Sequence, residues 1–171
     1  MSAPYDARKI ANLVLDQLDA TEFSISNKKI NKLLFFIHGA SIVRLGFGLV
    51  KNHFEAWDHG PVVNVVFQAF KGSGFGPIKS RANAFDYVSG RDEVLRYSDV
   101  SQEHRKFILR VATYYAKYSA DELEAMTHEA DSPWSAVRST PSFERGIRDR
   151  IPDSLIQNYF QLRLGPPKSV N

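Results

Sequence analysis

Apolar residues recur every three or four positions along most of the chain, and this spacing predicts helices that bury one face. Between Ile10 and Leu18 the apolar positions fit one such face. Ser119 followed by Glu122 is a capping box, which marks the start of another helix. Spacing and capping residues together predict helices over 10–18, 101–118, 119–126, 134–138 and 152–164.

A further helix, after Ser26, is predicted to lie at the centre of the fold. Ser26 is a typical N-cap because its hydroxyl accepts a hydrogen bond from a free backbone N–H group, and Gly46 and Gly48 end the helix. The apolar positions of this helix are Ile30, Leu33, Leu34, Phe35, Phe36 and Ile37. A helix that is apolar nearly all round must be covered on several sides.

After the central helix the pattern changes to that of short strands. Aromatic and β-favouring residues flank a turn signal at 51–52, which predicts a hairpin or an edge strand. Pro61 suits the first position of a helix, where its missing N–H group costs nothing, and the apolar spacing behind it fits a helix through Phe70. Glu55 to Pro61 is therefore predicted to be a strand-to-helix hinge, in which Gly60 allows a tight bend.

Residues 71–100 are the least regular part of the chain. They predict a loop with one or two short strands around 85–88 and 94–97, and a loop of this length is usually functional or mobile. The predicted fold is mostly α (α+β at the margin). It is a single-domain helical bundle around a central apolar helix, with a short β-hairpin or small sheet.

Composition narrows the classes of function. The chain has 171 residues, enough for one domain with a real core, and it has no cysteine, which excludes disulfides and cysteine nucleophiles. The amino terminus lacks the apolar region of a signal peptide. No stretch approaches the roughly 18 apolar residues of a membrane span. We therefore expect a soluble, cytoplasmic protein with no membrane contact.

Candidate chemistry is sparse. His53 and His59 flank a predicted strand and would lie too far apart to share a metal ion. The glycine-rich stretch at 72–76 lacks the Gly-Lys-Ser/Thr ending of a phosphate loop. No metal, no cofactor and no catalytic residue is predicted. An enzyme on an unrecognised site stays open, and its marker would be a cleft where His59, Glu55 or His128 converge with shifted pKa values.

Arginines cluster near the carboxyl-terminal end, at positions 138, 145, 148 and 150. Glu144 and Asp149 are interleaved with them, which is typical of a solvated mixed-charge surface and falls short of a stripe that follows phosphates. Direct nucleic-acid binding is therefore not expected.

Both tryptophans lie beside a turn and a proline that starts a predicted helix. A tryptophan at such a joint either packs the joint shut or lies on the surface as an anchor for another protein, since tryptophan is enriched in binding hot spots. Both uses are open for Trp57 and Trp134.

Several separated motifs resemble the SocA-like antitoxin domain, also called the Panacea domain. They occur in the order of the family and extend over residues 5–162, as Lys32–Leu34, Phe54–Trp57, Gly60–Val62, Met126–His128, Pro133–Trp134 and Tyr159–Phe160. The motif residues expected to serve the shape of the domain are Lys32, Leu33, Leu34, Glu55, Gly60, Pro61, His128, Pro133 and Trp134. Two departures are Asp58-His59, where an aromatic residue often precedes the glycine, and Met126 in place of leucine.

The resemblance implies a non-enzymatic antitoxin of a type II toxin–antitoxin pair, a class that includes phage-defence systems. Such a domain neutralises a cognate protein toxin by direct binding. The expected domain covers 1–165, with a tail at 166–171. Self-association remains open beside a toxin–antitoxin heterocomplex. The alternatives are a nucleic-acid-binding regulator and an adaptor that delivers a partner to proteolysis.

Loops tolerate the sequence variation that partner choice requires. The edge beside Trp57 and the loop over 71–97 are therefore the predicted contact regions. The predicted partner-binding residues are Trp57, Asp58, His59, Phe75, Phe85 and Tyr87.

Overall fold

The computed structural model describes residues 3–165. In this range it has seven α-helices, a three-stranded antiparallel sheet and a separate two-stranded hairpin. The helices are α1 Ala7–Gln17, α2 Asn27–Leu45, α3 Asn64–Phe70, α4 Gln102–Ala116, α5 Ala120–Thr127, α6 Pro133–Arg138 and α7 Asp153–Leu164. The strands are β1 Phe54–Trp57, β2 Gly60–Val62, β3 Asn83–Asp86, β4 Arg91–Val94 and β5 Arg150–Ile151, and a 3-10 turn occupies Lys71–Ser73. The predicted mostly helical fold with a small sheet is confirmed.

Helix α2 is the centre of the molecule, as its apolar sequence predicts. Every residue from Lys29 to Val43 is buried. The Ser26 hydroxyl caps its start by accepting a hydrogen bond from the Lys29 backbone N–H group at 3.2 Å, and Gly46 ends it with φ +84°. Gly39 allows α7 to approach closely, because a Cβ atom there would lie 2.2 Å from the ring of Phe160.

The polar side chains of α2 bond to the backbone of its neighbours. Lys29 donates to the carbonyl oxygen of Ala116 at the end of α4 at 2.7 Å. Asn31 accepts from the N–H group of Val63 at 2.9 Å, just before α3. His38 accepts from the N–H group of Val50 at 3.2 Å. A buried polar group is tolerated when it is hydrogen-bonded, so these residues position the surrounding elements as well as filling space.

The predicted hinge at Glu55–Pro61 is instead a β-hairpin. Strand β1 pairs with β2, with Trp57 opposite Gly60 and Ala56 opposite Pro61, and Asp58 and His59 form the turn. Pro61 therefore does not begin a helix, and α3 begins at Asn64. A proline without an N–H donor is compatible with β2 because β2 is an edge strand.

The three-stranded sheet also uses a part of the chain far from this hairpin. On its other side β1 pairs with β5, which places Phe54 opposite Ile151. The sequence did not predict β5, because two residues are too short to show an alternating pattern. The turn signal at 51–52 does not close a hairpin; the Asn52 side chain accepts from the Ala7 N–H group at 2.9 Å.

The irregular region contains one hairpin, formed by β3 and β4, a few residues earlier than each predicted strand. Its turn follows Asp86, whose carboxylate accepts from the N–H group of Val88 at 3.1 Å, and Gly90 has φ +71°. The base of the hairpin is held by Asn12, which bonds to both the N–H and the carbonyl group of Ala82.

The predicted helices of the carboxyl-terminal half are confirmed as α4 to α7, including the capping box of Ser119 and Glu122. None of the helices within residues 3–165 is long and apolar enough to cross a membrane. The predicted tail at 166–171 lies outside the described residues.

Candidate functional site

A groove of about 390 Å³ opens between the start of α2, the tip of the β1–β2 hairpin and the segment that follows α3. We call it the hairpin groove. Cationic and aromatic side chains dominate its lining, which includes Lys28, Lys32, Trp57, Phe67, Lys71, Phe75 and Arg145. Four of the predicted partner-binding residues, Trp57, Asp58, His59 and Phe75, line it together.

The wall of the hairpin groove is aromatic. The rings of Trp57 and Phe67 meet edge to face, with their centroids 5.0 Å apart, and the indole N–H group of Trp57 donates to the carboxylate of Glu55 at 2.6 Å. The guanidinium of Arg145 lies 4.9 Å from the centroid of the Trp57 ring. Phe75, at the rim, is fully exposed. Trp57 is thus held in one orientation, and the exposed ring of Phe75 lies at the rim of the same groove.

The hairpin turn carries charges that are already paired. Asp58 forms salt bridges with Arg138, at 3.0 Å, and with Arg145, at 3.7 Å. The Nδ1 atom of His59 lies 3.2 Å from the Oε1 atom of Glu124 in α5. These contacts connect the tip of the hairpin to α5, to α6 and to the segment that carries Arg145.

Lys32 forms the floor of the hairpin groove. Its side chain is 1% exposed, and its amine donates to the carbonyl oxygen of Pro61 at 3.0 Å. Burial lowers the pKa of Lys32 to about 7, against the opposing attraction of Glu124. Gly60 is required here, since its φ is +102° and a Cβ atom would lie 2.8 Å from the Cε atom of Lys32.

Glu124 gathers the ionisable groups around this floor. It accepts from both Lys28 and His59. Burial, the largest single influence, would raise the pKa of Glu124, but the hydrogen bonds from Lys28 and His59 and the charges of these two groups together hold the pKa below its ordinary value. The carboxylate is therefore ionised and engaged with cations of α2 and the hairpin.

His128, which follows α5, is a partly buried residue. Burial lowers the pKa of His128, with Lys32 and His59 contributing in the same direction. Its ring stacks on Trp134 with centroids 3.7 Å apart, and its Nε2 atom is buried without a partner among the described residues. His59 thus contacts Glu124, His128 stacks on Trp134, and Glu55 accepts from the indole of Trp57. These three residues, whose convergence in one cleft would mark an enzyme, therefore have three different main contacts.

The two tryptophans have different uses. Trp134 packs behind the hairpin and donates its indole N–H group to the carbonyl oxygen of Trp57 at 2.7 Å. Arg138 adds a hydrogen bond to the carbonyl oxygen of Ala56 at 3.2 Å. Pro133 is the first residue of α6 and is buried. Trp134 therefore closes the joint, while Trp57 lies on the groove.

The remaining predicted contact residues lie elsewhere. Phe85 and Tyr87 belong to the β3–β4 hairpin, where their rings meet with centroids 5.0 Å apart. They are 51% and 89% exposed, respectively, and neither lines the hairpin groove. Within residues 3–165, no three histidine or acidic side chains are placed to hold a metal ion.

The sequence missed three cationic residues of the hairpin groove: Lys28, Lys71 and Arg145. Surface lysines follow no hydrophobic period, so Lys28 and Lys71 carried no signal. Arg145 was grouped with its neighbours in sequence, and its approach to Trp57 depends on tertiary structure.

Comparisons with known proteins agree with the motifs in the sequence. Residues 30–135 match the profile of the family described as "Antitoxin SocA-like, Panacea domain". Antitoxin SocA of Caulobacter vibrioides (strain NA1000 / CB15N) is 36% identical over 158 residues, which cover 92% of this chain and 84% of that protein. No solved structure matches the chain.

Proposed function

The chain belongs to the family of SocA-like antitoxins with a Panacea domain, and from this premise we propose that it neutralises a cognate protein toxin by binding it directly. The observation that carries the proposal is the similarity to an antitoxin over 158 residues, which are 92% of this chain. The proposed place of action is the cytoplasm, where the toxin would be made.

The proposed toxin-binding surface is the hairpin groove. Trp57 is fixed by Glu55 and Phe67, and Phe75 is fully exposed beside it. Binding hot spots are typically aromatic side chains that a partner covers completely. A specific complex buries roughly 1,200–2,000 Å² in total, so the contact would extend beyond the groove, and Phe85 and Tyr87 are the proposed outer contacts.

A binding role is favoured over catalysis by what the ionisable groups already do. Glu124 accepts from Lys28 and His59, and Glu55 accepts from the indole of Trp57. A general acid or base has to reach a substrate proton, whereas these two carboxylates are already engaged by neighbouring side chains. We therefore propose a protein without enzymatic activity.

A nucleic-acid-binding role is disfavoured by the pairing of the arginines. Arg138 and Arg145 lie against Asp58, and Arg148 pairs with Glu144 at 2.7 Å. Phosphate contacts require cations that are free to neutralise phosphate charge. The arginine cluster instead holds the hairpin and its own loop.

Co-expression tests the proposal. The product of the gene beside this one is expressed from an inducible promoter, with and without this protein, and cell growth is measured. We expect arrest without the protein and growth with it, together with co-purification of the two chains. A toxin that stays lethal beside the folded wild-type protein would refute the proposal.

A further inference from the structure

We propose that the hairpin groove recognises an acidic segment of the partner, in which one carboxylate lies beside an apolar or aromatic side chain. This inference rests on the proposed function for the identity of the partner, since a toxin is the protein that would present the segment. The preference for an acidic segment follows from the groove itself.

Four cationic side chains but one carboxylate, Asp58, line the hairpin groove, and two of the four cations are paired. Lys28 bonds to Asp121 at 2.7 Å and also to Glu124, and Arg145 lies against Asp58. Lys71 at the rim and Lys32 on the floor have no carboxylate within 4 Å among residues 3–165. The groove therefore has two lysine amines that no carboxylate pairs, and an incoming negative charge can contact both.

Lys32 supplies the second, independent observation. Its amine has three N–H donors, and in the part of the chain that the structure describes only the carbonyl oxygen of Pro61 accepts from them. Burial disfavours the protonated form of this amine and lowers its pKa. A carboxylate that enters the groove would stabilise the protonated form, so the buried amine favours an acidic ligand over a neutral one.

The aromatic wall of the groove favours an apolar side chain next to the carboxylate of the ligand. Trp57, Phe67 and Val62 line one side and Phe75 stands at the rim. The volume of about 390 Å³ lies within the roughly 300–1,000 Å³ of typical ligand pockets. A short stretch of chain with an apolar side chain next to an acidic one fits both features.

The same features disfavour a nucleic acid as the occupant. A single strand brings one phosphate per nucleotide and needs a groove of cations that follows its backbone. Here Asp58 lines the groove, and Asp121 and Glu124 lie next to Lys28. Two lysine amines without a carboxylate partner suit one incoming carboxylate better than a row of phosphates.

Peptide selection tests the inference without knowledge of the toxin. A random dodecapeptide library displayed on phage is selected on the immobilised full chain, and the enriched peptides are synthesised with their Asn/Gln analogues. We expect enrichment of Asp or Glu beside an aromatic or aliphatic residue, and at least tenfold weaker binding of the neutral analogues. Enriched peptides without acidic residues, or tighter binding of a fluorescent oligonucleotide than of any peptide, would overturn the inference.

Three variants locate the interaction. Lys32→Met removes the buried charge, and Lys71→Glu reverses the exposed one without touching the core. Both are expected to weaken binding of the acidic peptides at least tenfold. Lys106→Glu is the matched control on the exposed face of α4 and should bind like wild type. If Lys32→Met fails to fold, judged by circular dichroism, Lys71→Glu decides alone, and unchanged binding by it would contradict the inference.

Co-expression with the toxin separates this inference from the proposed function. If wild type neutralises the toxin while Lys71→Glu and Lys32→Met do so equally well and bind it with equal affinity, the acidic-segment inference fails and the antitoxin role stands. If wild type does not neutralise the toxin, the antitoxin role fails, and the peptide preference still decides the chemistry of the groove.

Discussion

The two short antiparallel hairpins of this protein differ in how the rest of the chain holds them. The β1–β2 hairpin is bonded to α2 through Lys32 and to α6 through Trp134, and its inner residues are buried. The β3–β4 hairpin is exposed along both strands and is held at its base by Asn12. The comparison indicates that side chains of neighbouring helices, more than strand pairing, decide which hairpin is fixed.

This difference has a functional consequence. The proposed binding role of the hairpin groove favours a rigid wall, because a fixed aromatic surface loses less conformational freedom on binding. An exposed hairpin with few external bonds tolerates sequence change without loss of the fold. We therefore expect the β1–β2 hairpin to provide the shared frame and the β3–β4 hairpin to vary with the partner.

The largest expected effect is the loss of stability in Gly60→Ala, which adds a methyl group to the β1–β2 hairpin. Gly60→Ala should lower the free energy of unfolding by about 3 kcal/mol, through backbone strain of about 1–2 kcal/mol and overpacking of about 1–3 kcal/mol, since the new Cβ atom meets Thr127 and Lys32. Gly90→Ala is the matched control, because it also has positive φ but no atom within 4 Å of its Cβ position. Urea unfolding measures both.

Gly90→Ala should lower the free energy of unfolding by only about 1 kcal/mol, because it introduces backbone strain alone. Equal losses in the two variants would show that the β1–β2 hairpin is not more tightly fixed than the β3–β4 hairpin.

The next effect is on the pH dependence of folding. Burial lowers the pKa of Lys32 from 10.5 to about 7, so between these values the unfolded chain binds one more proton than the folded chain. The penalty of the buried cation is fully present below pH 7 and is relieved as the pH rises. Relative to Lys32→Met, wild type should gain about 2 kcal/mol of unfolding free energy between pH 7 and 9.

Urea unfolding of both proteins at pH 7, 8 and 9 measures this gain. Parallel pH profiles for wild type and Lys32→Met would mean that Lys32 carries no buried charge at the floor of the groove.

The sequence predicted much of the fold because the helices carry local signals. The apolar run of α2, the capping box at Ser119 and the proline of α6 each act within a few residues. Pro61 was assigned to a helix because the same missing N–H group suits a helix start and an edge strand. Only the pairing of β1 with β2 and with β5, which lies about ninety residues further along the chain, decides between them.

The candidate site was predictable to the extent that it consists of aromatic and turn residues. Trp57, Asp58, His59 and Phe75 were predicted as contacts, and the structure brings them to one groove. Lys32 was expected to serve only the shape of the domain; its burial beneath Gly60 could not be read from a repeating pattern. A buried lysine resembles any other lysine in sequence until the elements that cover it are placed.

A smaller stability effect distinguishes the two tryptophans. Trp134→Phe removes the donor to the carbonyl oxygen of Trp57 and should cost about 1–2 kcal/mol of unfolding free energy. Trp57→Phe should cost less, since its indole bonds only to the partly exposed Glu55 side chain. Thermal and urea unfolding of both variants measure the costs. A larger loss for Trp57→Phe would mean that the hairpin is stabilised from its groove side instead of from behind.

The most direct test of the central claim compares two exposed aromatic residues that contribute little to folding, Phe75 at the hairpin groove and Tyr87 on the β3–β4 hairpin. Calorimetry measures the affinity of each alanine variant for the purified cognate toxin. Loss of an aromatic hot spot typically costs about 2 kcal/mol or more, so Phe75→Ala should bind at least tenfold more weakly, whereas Tyr87→Ala should lose less. Wild-type affinity of Phe75→Ala would contradict the claim that the hairpin groove is the toxin-binding site.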